Sequence, residues 1–188
     1  MQQALEAGVR FFQYRDKTGT RKSIYETSLL LSRISRDARA CFIVNDYADM
    51  AVAVDADGVH LGQDDLPIEY ARKLVGKDRL IGISTHNLEQ ARTAEQQGAD
   101  YIGFGPLFPT STKDAGQVQG IHNLSVVRRE VSIPIIAIGG ITRDTVREVM
   151  VNGADGVALI SAVLGSPDIR EAAEQIVRII TGSGRELS

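Results

Sequence analysis

Seven short apolar runs recur along this chain, and each one ends in a small group of polar, charged or glycine residues. The runs are nearly continuous and rich in Val and Ile, which is typical of strands buried on both faces of a parallel sheet. They are Val9–Phe12, Cys41–Val44, Gly58–Leu61, Leu80–Ile83, Tyr101–Gly105, Ile135–Ile138 and Gly156–Ile160. Parallel α/β folds place their active sites at the carboxyl ends of such strands. The pattern therefore predicts an enzyme whose site lies at these strand ends.

Helix-like stretches lie between the apolar runs, and a glycine-containing phrase recurs where a helix gives way to the next strand. The predicted helices are Arg21–Arg39, Pro67–Val75, Asn87–Gln97, Leu124–Glu130, Thr142–Val151 and Asp168–Ile180. The phrase occurs as Glu6-Ala7-Gly8-Val9, Asp55-Ala56-Asp57-Gly58, Gln97-Gly98-Ala99-Asp100 and Asn152-Gly153-Ala154-Asp155, and a glycine after the last helical turn can supply a left-handed C-cap. Strands and helices that alternate without a long linker predict an α/β fold of the TIM (β/α)8 barrel type. A flavodoxin-like open sheet is the alternative, although it normally uses fewer strands.

The barrel prediction requires one more strand than the sequence shows, because a barrel of this type has eight. Residues 1–8 read as the end of a helix that leads into the first run, so we expect the first strand to be missing at the N-terminus. Such a gap would expose two strand edges. We predict one barrel domain over residues 1–182, followed by a C-terminal tail over residues 183–188.

Composition limits the partners and the location of the chain. A formal net charge of -3 over 188 residues argues against a nucleic-acid-binding surface. No apolar stretch approaches membrane-spanning length, and residues 1–10 lack the layout of a signal peptide. The single cysteine, Cys41, lies inside an apolar run, which predicts a buried core thiol and a reducing, cytoplasmic location. We therefore expect small-molecule substrates, with no nucleic acid and no membrane, and leave a homo-oligomer open.

Charged side chains of both signs follow the first three runs. Gln13, Arg15 and Lys17 occupy alternating positions, so on a strand they would share one face, where Arg and Lys suit phosphate oxygens. Asp46 and Asp65 follow the second and third runs and would lie on consecutive loops. Two carboxylates beside two cations favour Mg²⁺ holding a diphosphate. The structural alternative is that these acids cap helices or occupy loops.

Anion binding is also predicted at later strand ends. Thr110-Ser111-Thr112-Lys113 brings hydroxyls and an ammonium to a loop that follows the fifth run. Gly139-Gly140 and Ser161 close the last two runs, where barrels of this type commonly bind phosphate through backbone N–H groups. A structural turn is the alternative for the glycines. His60 lies within the third run and is predicted to be structural, whereas His86 lies at a strand end where it could contact substrate.

These segments together resemble the thiamine-phosphate synthase family, in the same order and over nearly the whole chain. The matching segments are Gln13-Tyr14-Arg15-Asp16-Lys17, Asn45-Asp46, His60-Leu61-Gly62-Gln63-Asp64-Asp65, Gly82-Ile83-Ser84, Gly103-Phe104-Gly105-Pro106, Thr110-Ser111-Thr112-Lys113, Gly139-Gly140-Ile141 and Ile160-Ser161-Ala162. The resemblance implies a Mg²⁺-dependent transferase. It would join 4-amino-2-methyl-5-hydroxymethylpyrimidine diphosphate to 4-methyl-5-(2-hydroxyethyl)thiazole phosphate and release thiamine phosphate and pyrophosphate.

The resemblance also implies a role for each matching residue. Residues expected to bind the pyrimidine diphosphate are Gln13, Arg15, Lys17, Asn45 and Lys113, with Mg²⁺ on Asp46 and Asp65 and with Ser84 against the pyrimidine. Residues expected to hold the thiazole phosphate are Thr110, Thr112, Gly140, Ile160 and Ser161. Arg15, Lys17 and Lys113 would act in catalysis with Ser84, by stabilising the charge that develops as diphosphate leaves.

Two alternative functions share the same barrel. A thiazole tautomerase-like relative would perform proton transfer instead of coupling. An inactive ligand-binding or regulatory protein would keep the pocket without turnover. The presence of both aspartates and of the cation set favours the synthase.

Overall fold

The computed structural model describes residues 1–110 and 117–182, and within them seven parallel strands form one sheet in the order of the sequence. The strands are β1 Phe11–Tyr14, β2 Cys41–Asn45, β3 Gly58–Leu61, β4 Leu80–Thr85, β5 Tyr101–Phe104, β6 Ile135–Ile138 and β7 Gly156–Ala158. Each of the seven predicted runs thus contributes one strand. The sequential order excludes the flavodoxin-like alternative, in which the strand order reverses within the sheet.

The helices of the described residues include all six that the sequence predicts. They are α1 Gln2–Glu6, α2 Arg21–Asp37, α3 Ala48–Ala53, α4 Ile68–Val75, α5 Leu88–Gln96, α6 Gly120–Glu130, α7 Arg143–Val151, α8 Ser161–Leu164 and α9 Ile169–Thr181. The two short helices α3 and α8 were missed. Neither has a side-chain cap, and each is too short to show a helical period. None of the helices in these ranges is both long and apolar enough to cross a bilayer.

The sheet is curled, because side chains from strands that are far apart in it meet on its concave side. The rings of Phe11 on β1 and Tyr101 on β5 pack edge to face with their centroids 5.5 Å apart. Outside the sheet, Arg170 of α9 pairs with Glu6 of α1 at 3.4 Å, which brings the first and last helices together. Within the described residues β1 and β7 are the two edge strands, so the curled sheet has the TIM-barrel form with seven strands.

The two faces of the curled sheet differ in character. Side chains on the convex face, such as Phe42, Val59 and Phe104, are fully buried against the surrounding helices and form the apolar core. The concave face carries polar side chains and glycines together with apolar side chains such as Ile43, and its polar or glycine positions include Asn45, His60, Ser84, Gly82 and Gly103. The convex face therefore holds most of the apolar core, and the concave face accommodates the polar groups.

Cys41 also lies on the inner face, and it is half-buried rather than fully buried as predicted. It faces a cavity of about 300 Å³ at the amino ends of the strands, opposite to the ends that carry the predicted site. Burial is still sufficient to raise the pKa of the Cys41 thiol to about 12.

The recurring phrase before alternate strands has a structural role that the sequence did not reveal. Asp57, Asp100 and Asp155 each precede a strand, and each carboxylate accepts a hydrogen bond from the backbone N–H at the start of the preceding strand, at 2.7–2.8 Å. Arg72 and Arg128 pair with the second and third of these carboxylates at 2.5 and 2.8 Å. These aspartate clamps join β2 to β3, β4 to β5 and β6 to β7 at their amino ends.

The predicted left-handed helix ends are present at Gly8, Gly98 and Gly153, whose φ angles are 97°, 89° and 115°. The fourth copy of the phrase differs, since Asp55 takes the left-handed position with a φ of 51°. Gly58 follows it and serves another purpose, because a Cβ there would lie 2.3 Å from the carbonyl oxygen of Leu80.

Candidate active site

Two carboxylates meet at the carboxyl ends of β2 and β3. Asp46 follows β2 directly, with a φ of 67°, and its backbone N–H donates to the carbonyl of His60 at 2.8 Å. Asp65 is held in the next loop, where it accepts a hydrogen bond from the backbone N–H of Gly62 at 2.7 Å. Partial burial, followed by the charge of the adjacent Asp65 carboxylate, raises the pKa of Asp46. The structure therefore brings together the two acids that the sequence placed on consecutive loops.

A chain of amide hydrogen bonds connects β1 to this carboxylate pair. The side-chain amide of Gln13 donates to Oδ1 of Asn45, and the Asn45 amide donates in turn to Oδ1 of Asp46. Asn45 is buried, so these contacts fix the orientation of its amide. Gln13, Asn45 and Asp46 thus form one connected row across the mouth of the sheet.

Arg15 and Lys17 place two cations beside the same carboxylates. Their charges act on Asp46 in the direction that lowers its pKa, against the larger effects of burial and Asp65. Both side chains are exposed, and within residues 1–110 and 117–182 neither forms an ion pair. Asp16 lies between them, and its carboxylate stabilises the following turn, since its Oδ1 accepts hydrogen bonds from the backbone N–H groups of Thr18 and Gly19 at 2.9 and 2.8 Å. The two cations are therefore exposed near Asp46, and no described carboxylate pairs with either of them.

Ser84 lies at the end of β4 and belongs to a second polar group below the carboxylates. Its Oγ is 2.9 Å from Nε2 of His60, and Nδ1 of His60 is 3.0 Å from the hydroxyl of Tyr101. Gln63 donates to the carbonyl oxygen of Ser84 at 2.6 Å, which fixes the end of the strand. His60 is buried with both ring nitrogens bonded, and burial lowers its pKa to about 4. The prediction that His60 is structural agrees with these contacts.

Tyr101 is the member of this group that sequence reasoning missed. It was assigned only as a strand residue, yet its hydroxyl is buried on the inner face and bonded to His60. A usable signal was present in the glycines of neighbouring strands. A Cβ at Gly82 would lie 2.0 Å from Cζ of Tyr101, and one at Gly103 would lie 3.1 Å from Cε1 of His60. These glycines make room for the two rings.

Of the residues predicted to bind the thiazole phosphate, Gly140, Ile160 and Ser161 follow β6 and β7, at the other side of the sheet from the carboxylate pair. Gly139 and Gly140 have φ angles of 85° and 67°, and a Cβ at Gly140 would lie 2.5 Å from the carbonyl oxygen of Pro109. The turn therefore requires glycine for packing, whether or not an anion binds. Strand β7 ends at Ala158, so Ile160 and Ser161 are not strand-end residues but begin the short helix α8.

The remaining predicted residues belong to the loops that follow β4 and β5. Thr110 is described and has interactions of its own, whereas Ser111, Thr112 and Lys113 lie outside the described residues. Nδ1 of His86 is 2.7 Å from the carbonyl oxygen of Gly105, so this ring nitrogen links the β4 and β5 loops. In the described ranges no hydrogen bond or ion pair joins Gly140, Ile160 or Ser161 to the carboxylate pair.

A curled parallel sheet with helices outside and a charged cluster at its carboxyl ends defines a TIM-barrel type of α/β protein. The chain belongs to the thiamine monophosphate synthase family, whose family model matches residues 1–163. The family and the fold predicted from the sequence are both confirmed.

Curated relatives and solved structures agree with this membership. Thiamine-phosphate synthase of Lawsonia intracellularis is 46% identical over 170 residues, which cover 90% of this chain and 78% of that protein. The Pyrococcus furiosus thiamine-phosphate synthase is 44% identical over 180 residues, covering 96% of this chain and 86% of that one. A solved structure of thiamine phosphate pyrophosphorylase from Pyrococcus furiosus superimposes with a TM-score of 0.91 at 43% identity, covering 97% of this chain and 88% of that one. These relatives are transferases.

Proposed function

We propose that this chain joins 4-amino-2-methyl-5-hydroxymethylpyrimidine diphosphate to 4-methyl-5-(2-hydroxyethyl)thiazole phosphate, giving thiamine phosphate and pyrophosphate. Family membership supports the reaction class. The observation that carries the proposal to these residues is the mixed charge cluster, in which the charges of Arg15 and Lys17 act on Asp46, whose carboxylate lies beside that of Asp65. A diphosphate needs both kinds of group, cations for its oxygens and carboxylates for the metal ion that accompanies it.

Asp46 and Asp65 fit a hard divalent cation. Their oxygens are the donor type that Mg²⁺ prefers, and Mg²⁺ commonly takes one or two carboxylates together with phosphate oxygens and water. Burial, followed by the negative charge of Asp65, raises the pKa of Asp46, and a cation between the two carboxylates would offset both effects. No third His, Cys, Asp or Glu completes a metal-binding group in the described ranges, which leaves coordination positions for substrate oxygens.

In the proposed reaction, the bond between the pyrimidine methylene carbon and the diphosphate oxygen breaks, and its electron pair leaves with pyrophosphate. The lone pair of the thiazole nitrogen then forms the new C–N bond. Arg15, Lys17 and Lys113 stabilise the negative charge as it develops on the leaving group. Mg²⁺, when bound, supplies further positive charge to the same oxygens. Little acid–base chemistry is needed, which is consistent with a neutral His60 that is buried and bonded on both sides.

The other substrate contacts are part of the same proposal. Gln13 and Asn45 orient the diphosphate end, and Ser84 contacts the pyrimidine ring. The thiazole phosphate is assigned to Thr110, Thr112, Gly140, Ile160 and Ser161. A cytoplasmic location remains a prediction from the single cysteine.

The test is a coupled product measurement with the purified chain, both substrates and Mg²⁺. We expect thiamine phosphate and pyrophosphate to appear in equal amounts, and both to disappear when the metal is removed with EDTA. Isomerisation of the thiazole without pyrophosphate release would instead support the tautomerase-like alternative. Binding of either substrate without turnover would support the inactive ligand-binding alternative.

A pair of lysine variants tests the assignment of the cluster. Lys17→Ala should reduce turnover strongly, whereas Lys22→Ala, which removes the same charge from the exposed surface of α2, should leave it unchanged. Equal effects in the two variants would show that the cluster at the mouth does not bind the diphosphate.

A further inference from the structure

We propose that Tyr101 and His60 are positioning residues that make the Ser84 hydroxyl a hydrogen-bond donor toward the pyrimidine substrate. The inference rests on the proposed function, because it takes Ser84 as the contact to the pyrimidine. It goes further by assigning the polarity of that contact and the two residues that set it.

The geometry is a row of three polar groups on the concave face of the sheet. The Tyr101 hydroxyl lies 3.0 Å from Nδ1 of His60, and Nε2 of His60 lies 2.9 Å from Oγ of Ser84. Tyr101 and His60 are each only 6% exposed, whereas Ser84 is half-buried at the strand end. The row therefore runs from the closed interior toward the open mouth.

A neutral imidazole must donate from one ring nitrogen and accept at the other, so the row can carry hydrogen bonds in only one of two directions. His60 is neutral, since its ring is buried and both ring nitrogens are bonded to hydroxyl groups, and among the described residues no carboxylate accepts a hydrogen bond from it. If Nδ1 carried the proton, it would donate to the Tyr101 oxygen, and the buried phenol proton would then need another acceptor. Among the described residues the Tyr101 hydroxyl has no hydrogen-bond partner except His60. An unsatisfied buried hydroxyl is costly, which selects the other direction.

In the selected direction Tyr101 donates to Nδ1, and Nε2–H donates to Oγ of Ser84. The Ser84 oxygen then accepts a hydrogen bond from His60, and the Ser84 hydroxyl proton is free to point into the mouth. An aminopyrimidine offers ring nitrogens as acceptors and an exocyclic amine as a donor. Ser84 can therefore donate to a ring nitrogen of the pyrimidine, which it could not do if its proton were bound to His60.

The surrounding residues keep the row in one arrangement. Gly82 and Gly103 leave space for the rings of Tyr101 and His60, since a Cβ at either position would contact them at 2.0 and 3.1 Å. The ring of Phe11 packs edge-on against Tyr101 from across the sheet, with 5.5 Å between centroids. Both rings are therefore packed directly against the backbone of a neighbouring strand.

The direction of the row can be measured without substrate. Long-range ¹H–¹⁵N correlations in ¹⁵N-histidine-labelled protein distinguish the two neutral tautomers, and His86→Gln and His122→Gln variants assign the remaining signal to His60. We expect a proton on Nε2 and none on Nδ1, unchanged between pH 6 and 8. A proton on Nδ1 would overturn the inference.

The functional consequence is tested with a double-mutant cycle on Tyr101 and Ser84. Tyr101→Phe keeps the ring and removes the phenol proton, so the KM for the pyrimidine diphosphate should rise roughly 2- to 12-fold, as expected for one neutral hydrogen bond. The KM for the thiazole phosphate should stay unchanged. In a Ser84→Ala background, Tyr101→Phe should have no further effect on either KM.

An equal effect of Tyr101→Phe with and without Ser84 would show a general structural role and overturn the inference. His60→Gln, which can still donate an N–H toward Ser84, should retain more pyrimidine affinity than His60→Leu; no difference between them would also count against it. The outcomes separate from those of the proposed function. A wild type without synthase activity but with the Nε2–H tautomer would refute the function and support the polarity, whereas an active enzyme with the Nδ1–H tautomer would refute the inference alone.

Discussion

Asp46→Asn should make the metal-free protein more stable while removing its response to Mg²⁺. Asp46 has a left-handed backbone, which Asn tolerates well among L-residues, so the substitution adds no backbone strain. The side-chain oxygen that accepts from Asn45 is also retained. What changes is the charge beside Asp65.

The sign of the effect follows from the pKa of Asp46, which burial and Asp65 raise. A carboxyl whose pKa is higher in the folded state destabilises the fold as pH rises from the unfolded value, about 3.9, through the folded value. At neutral pH this destabilisation is fully present, and the substitution removes it. Because the pair is partly exposed and screened by solvent, we expect a gain on the order of 0.2–1 kcal/mol. For a chain of this size that corresponds to a rise in melting temperature of roughly 0.5–4 °C.

The assay is thermal unfolding at pH 7 in EDTA and in millimolar Mg²⁺, alongside turnover. The control is Asp64→Asn, which removes a charge from the exposed neighbouring position in the same loop. Wild type and the control should gain stability on adding Mg²⁺, and Asp46→Asn should not. A lower melting temperature for Asp46→Asn in EDTA, or an undiminished response to Mg²⁺, would refute the reasoning.

Three further predictions concern single residues. Lys113→Ala should lower kcat by roughly 10²–10³-fold with little change in KM, as for loss of one group that meets developing charge; in steady-state kinetics the exposed Lys77→Ala should match wild type. Asp100→Asn should lose the charge that pairs with Arg72 at 2.5 Å and cost about 1 kcal/mol in denaturant unfolding; an unchanged midpoint would show that this clamp contributes nothing. Cys41, whose pKa burial raises to about 12, should react with a disulfide reagent at pH 8 far more slowly in the folded than in the unfolded protein.

Much of the fold was predictable because each strand is a nearly continuous apolar run. Parallel strands buried on both faces leave this signal regardless of their neighbours. The short helix Ala48–Ala53 was not predictable, since it has no capping side chain and is stabilised by burial of Ala48, Met50 and Ala51. The left-handed backbone of Asp55 was also not predicted, because glycine is the residue expected at a left-handed helix end.

The candidate site likewise contains residues that the sequence could place together and contacts that it could not predict. Asp46 and Asp65 could be placed together because each directly follows a strand, and the ends of neighbouring parallel strands meet at one edge. The contact of Tyr101 with His60 depends on the register across β3, β4 and β5 and on the curl of the sheet. Neither the register nor the curl can be predicted from the pattern of residues within one strand. The amide row from Gln13 to Asn45 has the same origin, since it joins side chains far apart in sequence.

The aspartate clamps have a consequence for β1. They join the strands in pairs from β2 to β7, whereas among the described residues no aspartate makes the corresponding contact at the amino end of β1. In hydrogen exchange, the amides of β1 should therefore open first among the strands. This is also the strand that carries Gln13 and leads into Arg15 and Lys17. Diphosphate bound by those side chains would slow that opening. Binding of the ligand and local unfolding of β1 would then be thermodynamically linked, so a change that loosens β1 would also weaken ligand affinity.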